Sequence, residues 1–358
     1  MTDLSPPLAR AADPLRINRR LPAHPVVAIV GATGAVGIEL IESLTARDFP
    51  VAALRLLASA RSAGTRLTFR GRELVVQALT EDSFAGVDVA FFSAGAAVSR
   101  DFAPLAVRAG AVVVDNSSAF RMAPEVPLVV PEVNAPAMDQ HAGIIANPNC
   151  VAAILTVALA PLAQAARIRR LNVATYQAAS GAGAAAMEEL RQATGAYLDG
   201  RAFSPRVLPH PYAFNMFSHN AAVDPDTGYN GEEEKVIAET RRILGRPDLP
   251  VSITCIRVPV LRAHGMAVTV EFDAPLSVAE ARRRIAAAPG LRLVDDRAAN
   301  HFPMPVEASG QEDVLVGRLR QDLGDPSGRS LALFVVGDQL LKGAALNAVQ
   351  IAEALLPR

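Results

Sequence analysis

A β-branched run from Val26 to Val30 enters Gly31-Ala-Thr-Gly-Ala-Val-Gly37, and Ile38, Ile41 and Leu44 then recur at helical spacing. Strand, glycine turn and helix in that order commit the chain to a βα unit. Leu54 to Ala58, Val87 to Phe92, Ala111 to Val114 and Gly143 to Ala146 follow as short apolar runs between helical or turn segments, the alternation of a parallel sheet. Residues 26–149 therefore read as a doubly wound, Rossmann-like nucleotide-binding domain in an α/β chain.

After Cys150 the pattern changes. A helix is predicted from about Val151 to Ala165, strands near 171–179, 251–260, 266–272, 314–320 and 331–336, and helices at 184–194, 232–244 and 277–287. Residues 150–337 read as an α+β domain around a mixed, largely antiparallel sheet. The last segment, 338–358, reads as an amphipathic helix returning to the first domain. Residues 1–25 hold five prolines and no apolar run, so they read as a mobile tail and not as a secretory signal.

Composition narrows the partners. Of 358 residues, 51% are apolar and 20% charged, enough to build cores, and a net charge of −1 lacks the positive excess that nucleic acid or anionic membranes require. No apolar stretch reaches the ~20 residues of a spanning helix. Two cysteines far apart, Cys150 and Cys255, form no disulfide framework and point to free thiols in a reducing cytosol. Only two of the 35 basic residues are lysines, Lys235 and Lys342.

Several residues carry chemistry. The spacing Gly31-x-x-Gly34-x-x-Gly37 departs from G-x-G-x-x-G, yet it sits where small residues let a pyrophosphate approach the N–H groups of a helix start; a tight β–α turn without ligand would give the same pattern. The next strand ends in Ser59-Ala-Arg61-Ser62, a cation and two hydroxyls suited to a 2′-phosphate, which favours NADP over NAD. Asn147-Pro-Asn-Cys150 precedes an uninterrupted helix, so the thiol falls in a first turn that favours thiolate, although a small hydrophobe closing a corner fits the same position. Cys255 lies in a strand pattern and reads as inert. Glu232 and Lys235 share one face of a helix start, His264 lies at a turn between strands, and no His spacing joins Cys or carboxylates into a metal site.

Taken together, these blocks resemble the aspartate-β-semialdehyde dehydrogenase family over residues 26–357. The carriers are Gly31 to Gly37, Ser59 to Gly64, Ser93-Ala-Gly95 with Ser99-Arg100, Asp115-Asn-Ser-Ser-Ala-Phe-Arg121, and Asn147 to Cys150; further on come Thr175 to Gly183, Glu232 with Lys235, Arg257 with His264, and Lys342-Gly-Ala-Ala-Leu-Asn347. The resemblance implies Cys150 as the nucleophile forming a thioester, His264 as general acid/base and Gln177 as the positioning amide. It further implies Arg257 for the substrate α-carboxylate, Glu232 for its α-amino group, and Arg100 with Lys235 for phosphate. NADP would lie on Gly31, Thr33, Gly34, Ala35, Val36, Ser59, Arg61 and Ser62, with Ser93, Ala94, Gly95, Ser180, Gly181, Gly183 and Gln339 around the nicotinamide.

The implied reaction is NADPH-dependent conversion of L-β-aspartyl phosphate to L-aspartate-β-semialdehyde and phosphate, a step of lysine, methionine and threonine biosynthesis, by a cytosolic homodimer. Two rivals stand beside it. An N-acetyl-γ-glutamyl-phosphate reductase shares fold, thioester and NADPH, but its uncharged acetylated amine would leave Glu232 without a partner. A catalytically inactive relative acting as a binding protein would have no need of Cys150, Gln177, Arg257 and His264.

Overall fold

In the computed structural model, which describes residues 19–357, the all-apolar run Val26–Val30 forms the central strand β1 of a parallel sheet. It leads through the glycine turn into α1 (Ala35–Ala46) and then β2 (Ala53–Ala58); the hairpin β3 (Arg66–Phe69) and β4 (Arg72–Val75) precedes β5 (Gln77–Ala78). β6 (Val89–Phe92), α2 (Ala96–Arg108), β7 (Val112–Asp115), the short α3 (Pro131–Asn134) and β8 (Ile144–Ala146) complete this layer. The strand order is β5-β2-β1-β6-β7-β8, so the chain proceeds outward from β1 in both directions. The crevice beyond the carboxyl ends of β1 and β6 is therefore the place where such a sheet binds a ligand. The hairpin was not anticipated; Leu67, Phe69 and Leu74 give it one apolar face that packs against the first core.

The chain then enters α4 (Cys150–Ala163), whose residues from Val151 to Leu159 are all buried. β9 (Ile168–Gln177), α5 (Ala184–Leu198), β10 (Phe217–Ser218), α6 (Gly231–Ile243), β11 (Val251–Arg257) and β12 (His264–Phe272) follow. α7 (Val278–Ala287), β13 (Leu291–Leu293), the short α8 (Pro305–Ala308), β14 (Val314–Gln321) and β15 (Ser330–Gly337) finish a seven-stranded sheet of order β10-β11-β9-β12-β15-β14-β13. It is mixed: β11 with β9 and β13 with β14 run parallel, the other pairs antiparallel. One core packs α4 against this sheet. Because α4 is apolar all round, it can be enclosed on every side.

Two expectations need correction. The final segment returns to the first layer, but it is buried almost throughout and is not amphipathic: a π turn at Leu341–Ala345 continues into α9 (Leu346–Ala354), with Ala345, Ala348, Val349, Ile351 and Ala352 in the core beside β1. Its polar residues are paired inside, Lys342 donating to Glu132, Asn347 and Gln350. The mobile-tail reading of 1–25 falls mostly outside the described residues, and where it can be seen the chain is held. Leu21 is buried and its N–H donates to Leu355 O at 2.9 Å, while Arg20 donates to Ala354 O at 2.7 Å.

Candidate active site

The register of the mixed sheet gathers the expected residues at one end. Gln177 closes β9 opposite Arg257, which closes the parallel strand β11, and His264 opens β12, antiparallel to β9 on its other side. Against this end stands the start of α4. Asn149 caps the helix, its Oδ1 accepting from the N–H groups of Val151 and Ala152, which puts Cys150 in the first helical position. The Asn149 amide also donates to Glu232 Oε1 at 2.9 Å, and Gln177 Nε2 reaches the same oxygen at 3.2 Å. One cap side chain thus fixes both the nucleophile's helix and the carboxylate beside it.

These residues surround a cavity of about 330 Å³ between the two layers. Val36, Ser93, Cys150, Gln177, Ser180, Gly181, Glu232, Lys235, Arg257 and Gln339 all line it, so the nucleotide turn and the thiol open onto one space. His264 lies just behind Gly181, where an added Cβ would stand 3.0 Å from both His264 Nε2 and Arg257 Nη1. Arg100 does not line the cavity; it is exposed on the first layer's α2. Arg121, quoted above only as part of a motif, does line it and is held by Glu239, Asn147 O and Asn116 O. Asn149 and His219 are further lining residues to which the sequence reading gave no role.

The charges are unevenly matched. Arg257 is 3% exposed and has no carboxylate partner among the described residues; its contacts are Asn220 Oδ1 at 3.3 Å, Ala178 O at 3.1 Å and His219 Nε2 at 2.8 Å. A buried guanidinium paired only with neutral acceptors is a seat for an anion. Burial pushes the Glu232 carboxyl up, but the field of His219 when protonated, hydrogen bonds from Asn149 and Gln177, and nearby Lys235 outweigh it and hold the group below the usual carboxylate range. His219 itself is driven down to about 4 by burial and by Arg257.

Burial, followed by the Glu232 charge, pushes the Cys150 thiol up to about 12, against the weaker pull of Arg257, Arg121 and the Val151 N–H. The helix start favours thiolate, while desolvation and the neighbouring carboxylate act against it. His264 is buried and lies well below its ordinary value, through burial and then the charges of Arg257 and His219. Its Nδ1 accepts from the Ala178 N–H at 3.0 Å, so the neutral ring carries its proton on Nε2, which has no partner among the described residues. Cys255 is fully buried in β11 with its thiol pushed above the ordinary value by burial, in keeping with an inert role.

The turn between β1 and α1 fits a dinucleotide. Gly31 has φ +88°, and a Cβ there would stand 2.5 Å from Ser93 O; a Cβ on Gly37 would run into Gly31 O. Gly34 at the N-cap offers no side chain to the first N–H groups of α1, the arrangement that lets a phosphate approach them. Ser59 and Arg61 are exposed just past the end of β2, beside that turn because Val30 pairs with Leu57.

The chain matches the semialdehyde dehydrogenase NAD-binding domain over residues 26–141 and the semialdehyde dehydrogenase dimerisation domain over 159–342. It is 53% identical over 338 residues to an aspartate-semialdehyde dehydrogenase of Synechocystis sp., covering 94% of this chain and 99% of that one. The crystal structure of aspartate semialdehyde dehydrogenase II from Vibrio cholerae complexed with ASA superposes with a TM-score of 0.89 at 42% identity, over 93% of this chain and 98% of that one. That of the Candida albicans enzyme with NADP gives 0.73 at 25% identity, over 93% and 98%.

Proposed function

Because the chain belongs to the aspartate-semialdehyde dehydrogenase family, an NADP-dependent phosphorylating oxidoreductase acting on aspartate semialdehyde, we propose how its own residues divide the reaction. The observation that carries the reading is the buried Arg257 guanidinium, without a carboxylate partner among the described residues, opening with Glu232 and Cys150 onto one cavity. Arg257 takes the α-carboxylate of L-β-aspartyl phosphate, and Glu232, whose Oε1 is already committed to two amides, offers Oε2 to the ammonium. Lys235, which lines the cavity and makes no ion pair among the described residues, meets the phosphate, and Arg100, exposed on α2 outside the cavity wall, is assigned as its second cation.

Docking the ammonium on Glu232 removes one of the two influences that hold the Cys150 thiol high. The thiolate forms its S–C bond at the carbonyl carbon and phosphate leaves. To take the thiol's proton, His264 must hold its own proton on Nδ1 and release the Ala178 N–H. In the tautomer found here its Nε2–H is set to steady the oxygen that gains charge at the thioester carbon. NADPH, when bound along the glycine turn with Ser93, Ala94, Gly95, Ser180, Gly181, Gly183 and Gln339 about the nicotinamide, would supply hydride to the thioester carbon; the C–S bond then breaks, releasing the semialdehyde and returning the Cys150 thiol. Gln339 is fixed for this by Ser180 and the Ala263 N–H, and Gln177 keeps the reacting group in line from β9.

The enzyme assembles as a homodimer through its dimerisation domain. No described helix is long and apolar enough to cross a membrane. We place the reaction in the cytosol, a reading supported by the two free thiols.

Phosphate-dependent reduction of NADP tests the substrate. L-Aspartate-β-semialdehyde is expected to exceed N-acetyl-glutamate-γ-semialdehyde in kcat/KM by at least ~10²-fold, because the acetylated amine leaves the buried Glu232 charge unpaired. Preference for the acetylated compound would sink the assignment. For the cofactor, Arg61→Ala is expected to weaken NADP roughly 10–100-fold while leaving NAD within about twofold, the size of one charge-assisted hydrogen bond. Isothermal titration with both nucleotides decides it, and equal losses would remove Arg61 from the 2′-phosphate.

A further inference from the structure

A guanidinium that receives a substrate carboxylate must be held still without being neutralised. The acceptors around Arg257 meet both demands, since Asn220 Oδ1, Ala178 O and His219 Nε2 are a side-chain amide, a backbone carbonyl and an imidazole, none of them an anion. The shortest contact is the 2.8 Å one to His219. Arginine has no acceptor, so the imidazole must supply its lone pair there.

His219 is suited to stay neutral. Two donors face the ring, the Arg257 guanidinium on Nε2 and the Ala221 N–H on Nδ1 at 3.2 Å. A neutral ring accepts from only one of them, so with Nε2 given to Arg257 its proton lies on Nδ1 and the longer Ala221 contact is not a hydrogen bond, whereas a protonated ring would lose the Arg257 contact as well. Its backbone continues the β10–β11 ladder, with Phe217 opposite Arg257 and the His219 N–H donating to Cys255 O at 2.9 Å. That pairing sets the imidazole beside Arg257 on one face of the sheet, and the ring lines the cavity.

We propose that His219 is a specificity-determining positioning residue: a neutral brace that orients Arg257 while leaving its charge undiminished for the α-carboxylate of the substrate. The inference rests on the reading of Arg257 given above and goes beyond it. A carboxylate in the place of His219 would brace the guanidinium equally well and consume its charge. Brace and charge can thus be separated experimentally.

The test is a series at one position, with melting temperature followed for each variant. His219→Ala is expected to raise KM for L-aspartate-β-semialdehyde roughly tenfold, with a smaller change in kcat. His219→Gln, whose amide oxygen can accept from Arg257, is expected to recover most of that loss. His219→Glu keeps an acceptor but is expected to raise KM by about a hundredfold, beyond the alanine variant, because the new carboxylate pairs with Arg257. A purely structural role would instead let the loss follow the melting temperature, with no separation of Gln from Glu. If His219→Ala fails to fold, the Gln and Glu variants still decide. The proposal is overturned if His219→Glu binds substrate as well as His219→Gln does, or if Arg257→Leu raises KM while no His219 variant does. If Arg257→Leu itself leaves KM unchanged, the carboxylate assignment falls first and the brace with it.

Discussion

Cys150→Ser is expected to bind NADP as the unaltered chain does and to lose activity by roughly a thousandfold or more, the scale on which removal of a covalent nucleophile registers. A hydroxyl at the first position of α4 keeps the helix and the Asn149 cap, which act through backbone and amide groups, so the fold should survive. Cys255→Ala serves as control, since that thiol is enclosed in β11 and takes no part in the cavity. Nucleotide titration together with phosphate-dependent NADP reduction checks both. Turnover near normal in Cys150→Ser would refute the thioester.

The second large effect is at His264. Replacement by Asn keeps an oxygen to accept the Ala178 N–H but removes the Nε2–H that now lacks a partner, so kcat is expected to fall by about 10²–10⁴-fold with little change in KM. A fall of less than tenfold would take proton handling away from this ring. The sign of the pH dependence follows from its environment. Because burial and neighbouring cations hold the ring well below 6.5, it is neutral across the physiological range, and a loss of activity on acidification that belongs to His264 must lie below pH 6.5.

Much of this could be read along the chain because it depends on neighbours in sequence. Val26 to Val30, the glycine turn and the Ile38, Ile41, Leu44 spacing are local, and so is the placing of Cys150 at a helix start by Asn149. What failed depended on distant partners. The high thiol of Cys150 comes from enclosure and from Glu232, 82 positions on in sequence, which no local helix rule contains. Lys342, Asn347 and Gln350 gave the last segment the look of an amphipathic helix, whereas Glu132 and Asn147, far upstream, accept their donors inside the protein. His219 had no spacing to recommend it; its contact with Arg257 arises from the pairing of β10 with β11. Arg121 was in view within a motif, but its place at the cavity wall follows from Glu239 on α6.

The closing of the first layer by α9 bears on how the protein is made. Synthesis delivers β1 to β8 first, yet the core beside β1 stays incomplete until Ala345, Ala348, Val349, Ile351, Ala352 and Leu355 have left the ribosome. The same late segment sets Gly343 against Cys150, so closely that a Cβ on Gly343 would stand 2.7 Å from the Cβ of Cys150. A nascent chain therefore waits for the π turn and α9 both to seal the nucleotide layer and to wall the thiol. The wall of the nucleophile is thus completed by residues about 190 positions further along the chain than the thiol they enclose.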